Sequence, residues 1–199
     1  GTRRQLQLME DFGSTVITCT PSYAIFMAVE ARGLGIDPTS TTLKRGLLGA
    51  EPWSDGMRRE IEAAWDMKAY NIYGLSEIVG PGVAQECVGQ CGLHLWADRF
   101  LPEIIDTDTG KPVEEGEDGM LVLTTLSKMA TPFLRYATKD IVSITYETCP
   151  GCGRTSPRIS RIKGRTDDML IIRGVNVFPS QIEEVLTEIE ETEPHYQLI

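Results

Sequence analysis

One segment near the middle of the chain places four chemically different groups close together. It reads Tyr-Asn-Ile-Tyr-Gly-Leu-Ser-Glu over residues 70–77. Tyr73 offers an aromatic face for stacking, and Gly74 permits a close approach of the backbone. Ser76 supplies a hydroxyl for a phosphate, and Glu77 supplies an oxygen ligand for Mg²⁺. These groups suit a nucleotide with its metal ion, although Tyr-Gly turns are common and a Glu at a helix start often serves only the helix dipole.

Two further polar groups follow at the ends of predicted strands. Asp140 stands where a strand over 141–146 begins, so its two oxygens are placed to accept from two vicinal hydroxyls. Arg165 stands beside two acids in the segment Gly-Arg-Thr-Asp-Asp at 164–168. Each also fits a purely structural role, a turn cap for Asp140 and a surface ion pair of little energetic value for Arg165. The order of these motifs along the chain favours a nucleotide site.

Cysteine and histidine residues indicate a metal site in the second half of the chain. Cys149 and Cys152 form a Cys-x-x-Cys turn that closes on glycine, which is typical of half a zinc knuckle. Cys87 and His94 lie upstream and would complete the ligand set of a structural Zn²⁺ ion. Cys91 is an alternative to Cys87. A closed site with four protein ligands has no catalytic role.

The same cysteines are also compatible with a protein that binds no metal. Cys87 would be a small core residue and His94 a polar strand residue if the Cys-x-x-Cys turn carried only surface thiols. A redox dithiol normally opens a helix, and Gly153 and Pro157 disfavour a helix here. The five cysteines are an odd number without a secretion signal. This favours thiols and metal in a reducing compartment over a disulfide scaffold.

Alternating strands and helices are predicted in the first half of the chain. Residues 16–19 are β-branched or small and indicate a strand, after which Thr20 caps a helix. Residues 43–48 and 68–73 indicate two more strands on either side of a helix capped by Ser54. This alternation predicts a parallel α/β sheet. The second half contains short strand candidates separated by turn signals, which predict an appended antiparallel, β-barrel-like subdomain.

Composition excludes several classes of protein. The 199 residues carry 29 acidic and 19 basic side chains, which gives a formal net charge of −10, and 41% of residues are hydrophobic. This content excludes intrinsic disorder, and no apolar run approaches the roughly 20 residues that cross a bilayer. The acidic excess argues against nucleic-acid binding, which needs clustered Lys and Arg. We therefore expect neither a membrane nor a nucleic acid as partner. The absence of a targeting signal and the reduced cysteines further predict a cytoplasmic protein.

Several sequence blocks in a fixed order carry a family resemblance over nearly the whole chain. The blocks are Asp11-Phe12-Gly13, Cys19-Thr20-Pro21-Ser22-Tyr23, Gly49-Ala50-Glu51-Pro52-Trp53, Tyr73-Gly74-Leu75-Ser76-Glu77, Leu134-Arg135-Tyr136, Gly164-Arg165 and Gly174-Val175-Asn176-Val177-Phe178-Pro179. They resemble the adenylate-forming enzymes, and within that superfamily the phenylacetate–coenzyme A ligases.

The resemblance implies a ligase reaction in two steps. A carboxylate attacks the α-phosphate of ATP to give an acyl-adenylate and pyrophosphate, and the coenzyme A thiol then displaces AMP. The implied ligands are a phenylacetate-like aryl acid, ATP or AMP, Mg²⁺ and coenzyme A, and a homodimer is one option for assembly. Tyr23, Phe26 and Trp53 fall near the family's acyl pocket, and are equally explained as core residues. The alternatives are adenylation of a different aryl or acyl acid, or a zinc-stabilised binding module without catalysis.

Residue roles in adenylation follow from the same resemblance. Tyr73 would stack on adenine beside Gly74. The purine and acyl pockets would be lined by Ala50, Glu51 and Pro52. Ser76 would contact the α-phosphate, and Glu77 would hold the Mg²⁺ ion that neutralises charge at the reacting phosphate.

Further roles concern the ribose and the second step. Asp140 would accept both ribose hydroxyls, and Arg165 would assist on the ribose side. Asp167 lies where the family keeps the hinge about which its small C-terminal domain rotates. Gly174 lies on the loop that the family presents to the pantetheine arm of coenzyme A.

Two departures from the family predict that the chain is part of a longer protein. The phosphate loop is missing, and the last lysine is Lys163, whereas the family's catalytic lysine lies near the end of the C-terminal domain. We therefore expect the chain alone not to complete adenylation. The predicted divisions are a truncated α/β part over 1–85, the β-barrel-like subdomain with its zinc knuckle over 86–166, and the hinge with the start of the C-terminal domain over 167–199.

Overall fold

The structure is a computed structural model that describes residues 1–168, 170–172, 175–187 and 189. It divides the chain into two units, one formed by Gly1–Tyr70 with Glu183–Ile199 and the other by Asn71–Ile182. Within the described ranges, every helix is too short or too polar to cross a bilayer. The predicted divisions at 85/86 and 166/167 stay predictions.

The first unit alternates helices and strands. Its elements are α1 (Thr2–Asp11), β1 (Val16–Cys19), α2 (Pro21–Gly33), a 3₁₀ turn (Pro38–Ser40), β2 (Arg45–Gly49), α3 (Asp55–Trp65) and the start of β3 (Lys68–Leu75). Strands β1 and β2 pair in parallel, with Val16 opposite Arg45 and Cys19 opposite Leu48. The predicted parallel α/β arrangement is therefore confirmed for this pair, with α2 as the crossover helix.

Local hydrogen bonds explain where the helices of the first unit begin. Thr20 accepts a hydrogen bond from the Tyr23 amide at 3.3 Å at the start of α2, and Ser54 accepts one from the Met57 amide at 3.2 Å at the start of α3. Both caps agree with the sequence prediction. Trp65, at the end of α3, is fully buried and donates from its indole nitrogen to the Ala24 carbonyl at 2.9 Å. This contact joins α3 to α2.

The second unit consists mainly of antiparallel strands. Its elements are the remainder of β3, then β4 (Val79–Glu86), β5 (Leu93–Leu95), β6 (Phe100–Ile105), β7 (Gly119–Thr125), β8 (Tyr136–Val142), β9 (Ile144–Thr145), β10 (Arg158–Ile159), β11 (Gly164–Arg165), β12 (Leu170–Ile172), β13 (Val175–Val177) and the start of α4 (Pro179–Thr187). Strands β3, β4, β5, β10 and β9 are neighbours in that order, and β11, β8, β7 and β6 form a separate sheet. The antiparallel prediction is confirmed, but β11 and β6 lie at opposite edges, so the described strands form an open sheet and show no closed barrel.

A β-bulge interrupts the pairing of β8 with β7. Met120 is opposite Ile141 and Val122 is opposite Ala137, so three residues of β8 face one residue of β7. Within this bulge the Lys139 backbone has a φ of 70°. β-bulges often re-aim side chains next to functional sites. Here the extra residues belong to the segment that carries the predicted ribose-binding carboxylate.

The tight pairing of β6 with β7 leads to a stability prediction. A Cβ atom on Gly119 would lie 2.7 Å from the Ile105 carbonyl oxygen, which is backbone and cannot move without shifting the strand. We expect Gly119→Ala to lower the free energy of unfolding by about 1–3 kcal/mol, the usual cost of overpacking. Urea denaturation measures this loss.

The matched control is Gly80→Ala in the same unit. The nearest atom to its added Cβ, the Leu75 carbonyl oxygen, is 3.9 Å away, which is an ordinary contact. Equal unfolding free energies for the two variants would contradict the close approach of β6 and β7 at Gly119.

Candidate functional site

A buried carboxylate lies at the centre of the polar cluster in the second unit. Asp140 is only 3% exposed. Its Oδ2 accepts a hydrogen bond from the Tyr73 hydroxyl at 2.5 Å, and its Oδ1 accepts one from Arg165 Nη1 at 2.9 Å. The structure therefore brings together three of the residues that the sequence predicted as nucleotide-binding.

Burial determines the protonation of this cluster. Burial raises the pKa of Asp140 above its ordinary value, while the hydrogen bond from Tyr73 and the charge of Arg165 act in the opposite direction. Burial, reinforced by the negative charge of Asp140, also raises the pKa of Tyr73. The tyrosine hydroxyl thus keeps its proton and remains a donor to the carboxylate.

The same guanidinium contacts the predicted hinge residue. Arg165 Nε lies 3.0 Å from Asp167 Oδ1, and Arg165 Nη2 lies 3.2 Å from Asp167 Oδ2. Lys139 Nζ also donates to Asp167 Oδ2, at 3.1 Å. These hydrogen bonds, from Arg165 first and then Lys139, lower the pKa of Asp167 to about 2. One arginine therefore joins the carboxylates of Asp140 and Asp167.

The bulge in β8 explains the position of Asp140. Thr138 is buried and its hydroxyl donates to the Leu121 carbonyl at 2.9 Å. The same hydroxyl accepts from the Asp140 amide at 3.1 Å. Thr138 and Lys139 therefore belong to the site, although neither was predicted from the sequence. Both stand in the segment that drew attention to Asp140, but strand alternation carries no signal for a bulge.

The predicted phosphate and Mg²⁺ residues lie in the turn that joins β3 to β4. Ser76 and Glu77 are both exposed there, and Gly74 is half-buried near the end of β3. Lys128 donates from its side chain to the backbone carbonyl of Glu77, which leaves the Glu77 carboxylate outside that contact. The Gly174 prediction for coenzyme A lies outside the described residues.

The remaining nucleotide-site predictions fall in the first unit. Ala50 has a φ of 70°, a backbone conformation uncommon for a residue with a Cβ atom. Glu51 accepts hydrogen bonds at the start of α2 from the Ser22 amide at 2.6 Å and the Ser22 hydroxyl at 3.0 Å. Its carboxylate therefore anchors a helix N-terminus. Pro52 follows directly and is exposed.

The three aromatic residues that the sequence linked to an acyl pocket differ in their surroundings. Trp53 is buried, and the Arg58 guanidinium lies 4.8 Å from its ring centroid. Tyr23 and Phe26 stack with their ring centroids 5.9 Å apart, and Phe26 is exposed. Trp53 thus has the character of a core residue, whereas the other two form an accessible pair on α2.

The four predicted metal ligands converge in the second unit. Ligand atoms of Cys87, His94, Cys149 and Cys152 all lie within 4.8 Å of one another. The Cys87 and Cys149 sulfurs are 3.8 Å apart, and His94 Nε2 lies 3.4 Å from the Cys152 sulfur. Zinc bond lengths of about 2.3 Å to sulfur and about 2.05 Å to nitrogen give tetrahedral edges of about 3.8 and about 3.5 Å. These two separations match two edges of a zinc tetrahedron.

The fifth cysteine of the chain fits this tetrahedron less well. The Cys91 sulfur lies 3.2 Å from the Cys149 sulfur, which is shorter than an edge between two zinc-bound thiolates. Cys87 sits at the edge length and is buried. Burial alone would raise the pKa of Cys149, but hydrogen bonds from Cys91 and from the Gly151 and Cys152 amides outweigh it and lower this pKa to about 5. The geometry favours Cys87 over Cys91 as the ligand.

Surrounding contacts orient the ligands. Ser156 Oγ lies 2.9 Å from His94 Nδ1, so the nitrogen that faces away from the cluster has a hydrogen-bond partner. The loops that carry the cysteines meet at two glycines, because a Cβ atom on Gly89 would lie 2.6 Å from the Gly151 Cα atom. Only residues without a side chain fit at this contact.

Comparisons with known proteins agree on one family. The family model of AMP-binding enzymes matches residues 2–130, and the model of the AMP-binding enzyme C-terminal domain matches residues 174–199. The chain is 54% identical over its full length to the phenylacetate-coenzyme A ligase of Thermus thermophilus, covering 44% of that protein. It is 49% identical over 99% of its length to the phenylacetate-coenzyme A ligase of Escherichia coli, covering 45% of that protein. The chain thus spans less than half the length of these curated relatives.

Solved structures agree on the fold. The crystal structure of 2-hydroxyisobutyryl-CoA ligase with R3-HIB-AMP is 30% identical to the chain, with a TM-score of 0.88. The match covers 95% of this chain and 40% of that one. The chain therefore has the mixed α/β adenylate-forming fold of acyl-CoA ligases.

The shared guanidinium leads to a prediction about titration. Replacing Arg165 with Gln removes the first of the interactions that hold the pKa of Asp167 at about 2, so this pKa should rise towards its ordinary 3.8. Because the pKa of Asp167 is lower in the folded state than in the unfolded state, its ionised carboxylate stabilises the fold at pH values above the ordinary 3.8. This stabilisation is lost as the pH falls from there towards the folded-state pKa of about 2. Arg165→Gln should therefore reduce the loss of stability between pH 4 and pH 2.

Carbon-detected NMR titration of the carboxyl groups measures the shift. Glu115 is the internal control, because its lowered pKa depends on Tyr146 and Thr145 and not on Arg165. An unchanged pKa for Asp167 in Arg165→Gln would contradict the ion-pair geometry.

Proposed function

Because the chain belongs to the family of AMP-binding enzymes, we propose that its protein is an ATP-dependent acid–thiol ligase. It would form an acyl-adenylate from a phenylacetate-like aryl acid and pass the acyl group to coenzyme A, as an AMP-forming ligase. The 54% and 49% identities to two phenylacetate-coenzyme A ligases support this substrate class. The observation that carries the proposal is the buried Asp140 carboxylate held between Tyr73 and Arg165.

The carboxylate of Asp140 keeps acceptor capacity for a ribose. Its Oδ2 accepts from the Tyr73 hydroxyl and its Oδ1 accepts from Arg165 Nη1, and a carboxylate oxygen has two lone pairs. Both oxygens can therefore accept a second hydrogen bond, one from each vicinal hydroxyl. Arg165 favours the ionised form of the carboxylate from one side, against the effect of burial, and the hydroxyl of Tyr73 orients it on the other.

Adenine would lie against Tyr73. The hydroxyl of this residue is fixed by Asp140, so the ring orientation and the ribose-binding carboxylate are set together. In the first unit, Ala50, Glu51 and Pro52 are proposed as purine- and acyl-pocket residues, and Glu51 fixes their loop to the start of α2 through Ser22. The exposed Phe26 on α2 suits contact with an aryl group better than the buried Trp53.

The exposed turn after β3 would meet the phosphates. The Glu77 carboxylate has the oxygen chemistry that Mg²⁺ prefers, and its exposure in a turn suits an ion that keeps several of its waters. A bound Mg²⁺ ion would neutralise charge on the phosphate during attack by the carboxylate. Ser76 would donate to the α-phosphate. Asp167 is proposed as the hinge, and Gly174 as a coenzyme A contact.

Nucleotide affinity tests the ribose assignment. We expect Asp140→Asn to weaken binding of AMP about 10- to 100-fold, because hydrogen bonds to a charged group are worth about 1.5–3 kcal/mol. Isothermal titration calorimetry on the intact protein gives the dissociation constants. Glu103→Gln is the matched control, because Glu103 lies in the same sheet and pairs with Arg135 at 3.0 Å, away from the Asp140 carboxylate.

Equal affinity of wild type and Asp140→Asn for AMP would overturn the assignment. Pyrophosphate release across a panel of acids, with and without coenzyme A, then identifies the acid and the acceptor. AMP binding without pyrophosphate release from any acid would indicate a binding module of the same fold.

A structural zinc site is the second part of the proposal. Cys87, His94, Cys149 and Cys152 supply three thiolates and one imidazole, a set typical of closed zinc sites. The cluster joins the loop between β4 and β5 to the loop between β9 and β10. Bound zinc would therefore pin these two loops, and because all four positions are filled by protein it would take no part in the reaction.

Metal content separates ligands from neighbours. We expect one zinc per chain in wild type and in Cys91→Ser, and loss of zinc in Cys149→Ser and Cys87→Ser. Loss of the metal should also lower Tm by more than about 5 °C, because 1 kcal/mol corresponds to about 2–4 °C in domains of this size. Elemental analysis and scanning calorimetry measure both quantities. Zinc that is lost in Cys91→Ser but kept in Cys87→Ser would reverse the choice of ligand.

A further inference from the structure

We propose that Lys139 is a positioning residue, which frees Arg165 to serve Asp140 and so couples nucleotide binding to the turn that contains Asp167. The inference rests on the proposed function in one respect, namely that Asp140 binds the nucleotide. It concerns a residue that the family resemblance did not single out.

The geometry joins two carboxylates through one guanidinium. Arg165 uses Nη1 for Asp140, and Nε and Nη2 for Asp167. Asp168 lies nearby as well, with its Oδ2 3.7 Å from Arg165 Nε. A single arginine thus faces three acids. A change in the strength of the hydrogen bonds between Asp167 and the guanidinium therefore alters the strength of the hydrogen bond between Arg165 and Asp140.

Lys139 relieves this competition. Its ammonium group pairs with Asp167 at 3.1 Å, so Asp167 is shared between two cations. Without Lys139, Arg165 would be the cation that pairs with Asp167 and Asp168, and its attraction to them would be stronger. The guanidinium would then shift towards Asp167 and Asp168, and its hydrogen bond to Asp140 would weaken.

The backbone of Lys139 also supports the turn. Its carbonyl accepts a hydrogen bond from the Thr166 amide at 2.8 Å, and the Asp168 amide donates to the Arg165 carbonyl at 3.2 Å. Lys139 has a φ of 70°, a strained conformation for a residue with a side chain. Strain of this kind persists where surrounding contacts fix the backbone, and it often marks functional sites.

The exposure of the side chains changes along the chain of ion pairs from Asp140 through Arg165 and Asp167 to Lys139. The side chain of Asp140 is 5% exposed, whereas those of Asp167 and Lys139 are 38% and 54% exposed. The network therefore runs from a buried nucleotide-facing carboxylate to an outer ion pair in contact with solvent. Salt screens the outer pair far more than the inner one. The coupling should therefore weaken as ionic strength rises.

The best test variant is Lys139→Gly. Glycine adopts a positive φ without strain, so this change keeps the backbone of the bulge and removes only the side chain. Lys139→Arg restores a cation at the same position. Glu103→Gln is again the control for loss of an exposed ion pair in the same sheet.

Hydrogen–deuterium exchange of the segment 164–168 on the intact protein, with and without saturating AMP, reads out the coupling. In wild type we expect AMP to slow exchange of the Thr166 and Asp168 amides. In Lys139→Gly the segment should exchange faster without AMP, AMP should slow it less, and AMP affinity should fall about 2- to 10-fold, the effect of one hydrogen bond of about 0.5–1.5 kcal/mol. Lys139→Arg should restore most of both effects.

Separate outcomes test the two parts of the argument. The same AMP-induced slowing and the same affinity in Lys139→Gly as in wild type would overturn the coupling. A role confined to local structure would speed exchange equally with and without AMP, and would leave affinity unchanged. If wild type bound no AMP, the proposed function and the coupling would both fail, while the AMP-free exchange rates would still decide whether Lys139 holds the turn.

Discussion

The second unit holds the carboxylate of Asp140 in its interior, where burial disfavours the charged form. Removing an ionised Asp from water costs several kcal/mol unless partners replace the lost hydration. Asp140 has a guanidinium on one oxygen and a tyrosine hydroxyl on the other, and its amide is held by Thr138. Strands β3, β8 and β11 must therefore keep their register for the charge to stay paired. The geometry of the candidate site thus depends directly on how these three strands pack.

The proposed zinc ligands and the polar cluster around Asp140 would stabilise different parts of the same unit. The proposed metal ligands are His94 in β5 and three cysteines in the loops before β5 and before β10, which are strands of only three and two residues. Strands this short contribute few ladder hydrogen bonds, so side-chain ligation is an effective way to hold them. Around Asp140, β8 and β3 are seven and eight residues long, and the two-residue strand β11 is tied to β8 by the ion pair of Arg165 with Asp140.

Sequence patterns predicted features that depend on local chemistry. The caps at Thr20 and Ser54, the parallel pair β1 and β2, the antiparallel second half and the meeting of four zinc-type ligands all follow from residue type and spacing. Features that depend on register were missed. The alternation of polar and apolar residues in β8 does not reveal that three of its residues face one residue of β7. For this reason Lys139 was not predicted as part of the site. Likewise, only three-dimensional distances separate Cys87 from Cys91.

The contact between Gly89 and Gly151 affects how genetic data on this protein are to be interpreted. Neither glycine offers a metal-binding atom, yet the backbones of the two ligand loops meet there with no room for a methyl group. Variants at both positions would push the loops apart and separate the sulfurs. If the cluster binds zinc as proposed, a mutational scan scored by zinc content would count two non-ligands among the ligands. Loss of zinc in such a scan would report either a missing ligand atom or a greater distance between the two loops.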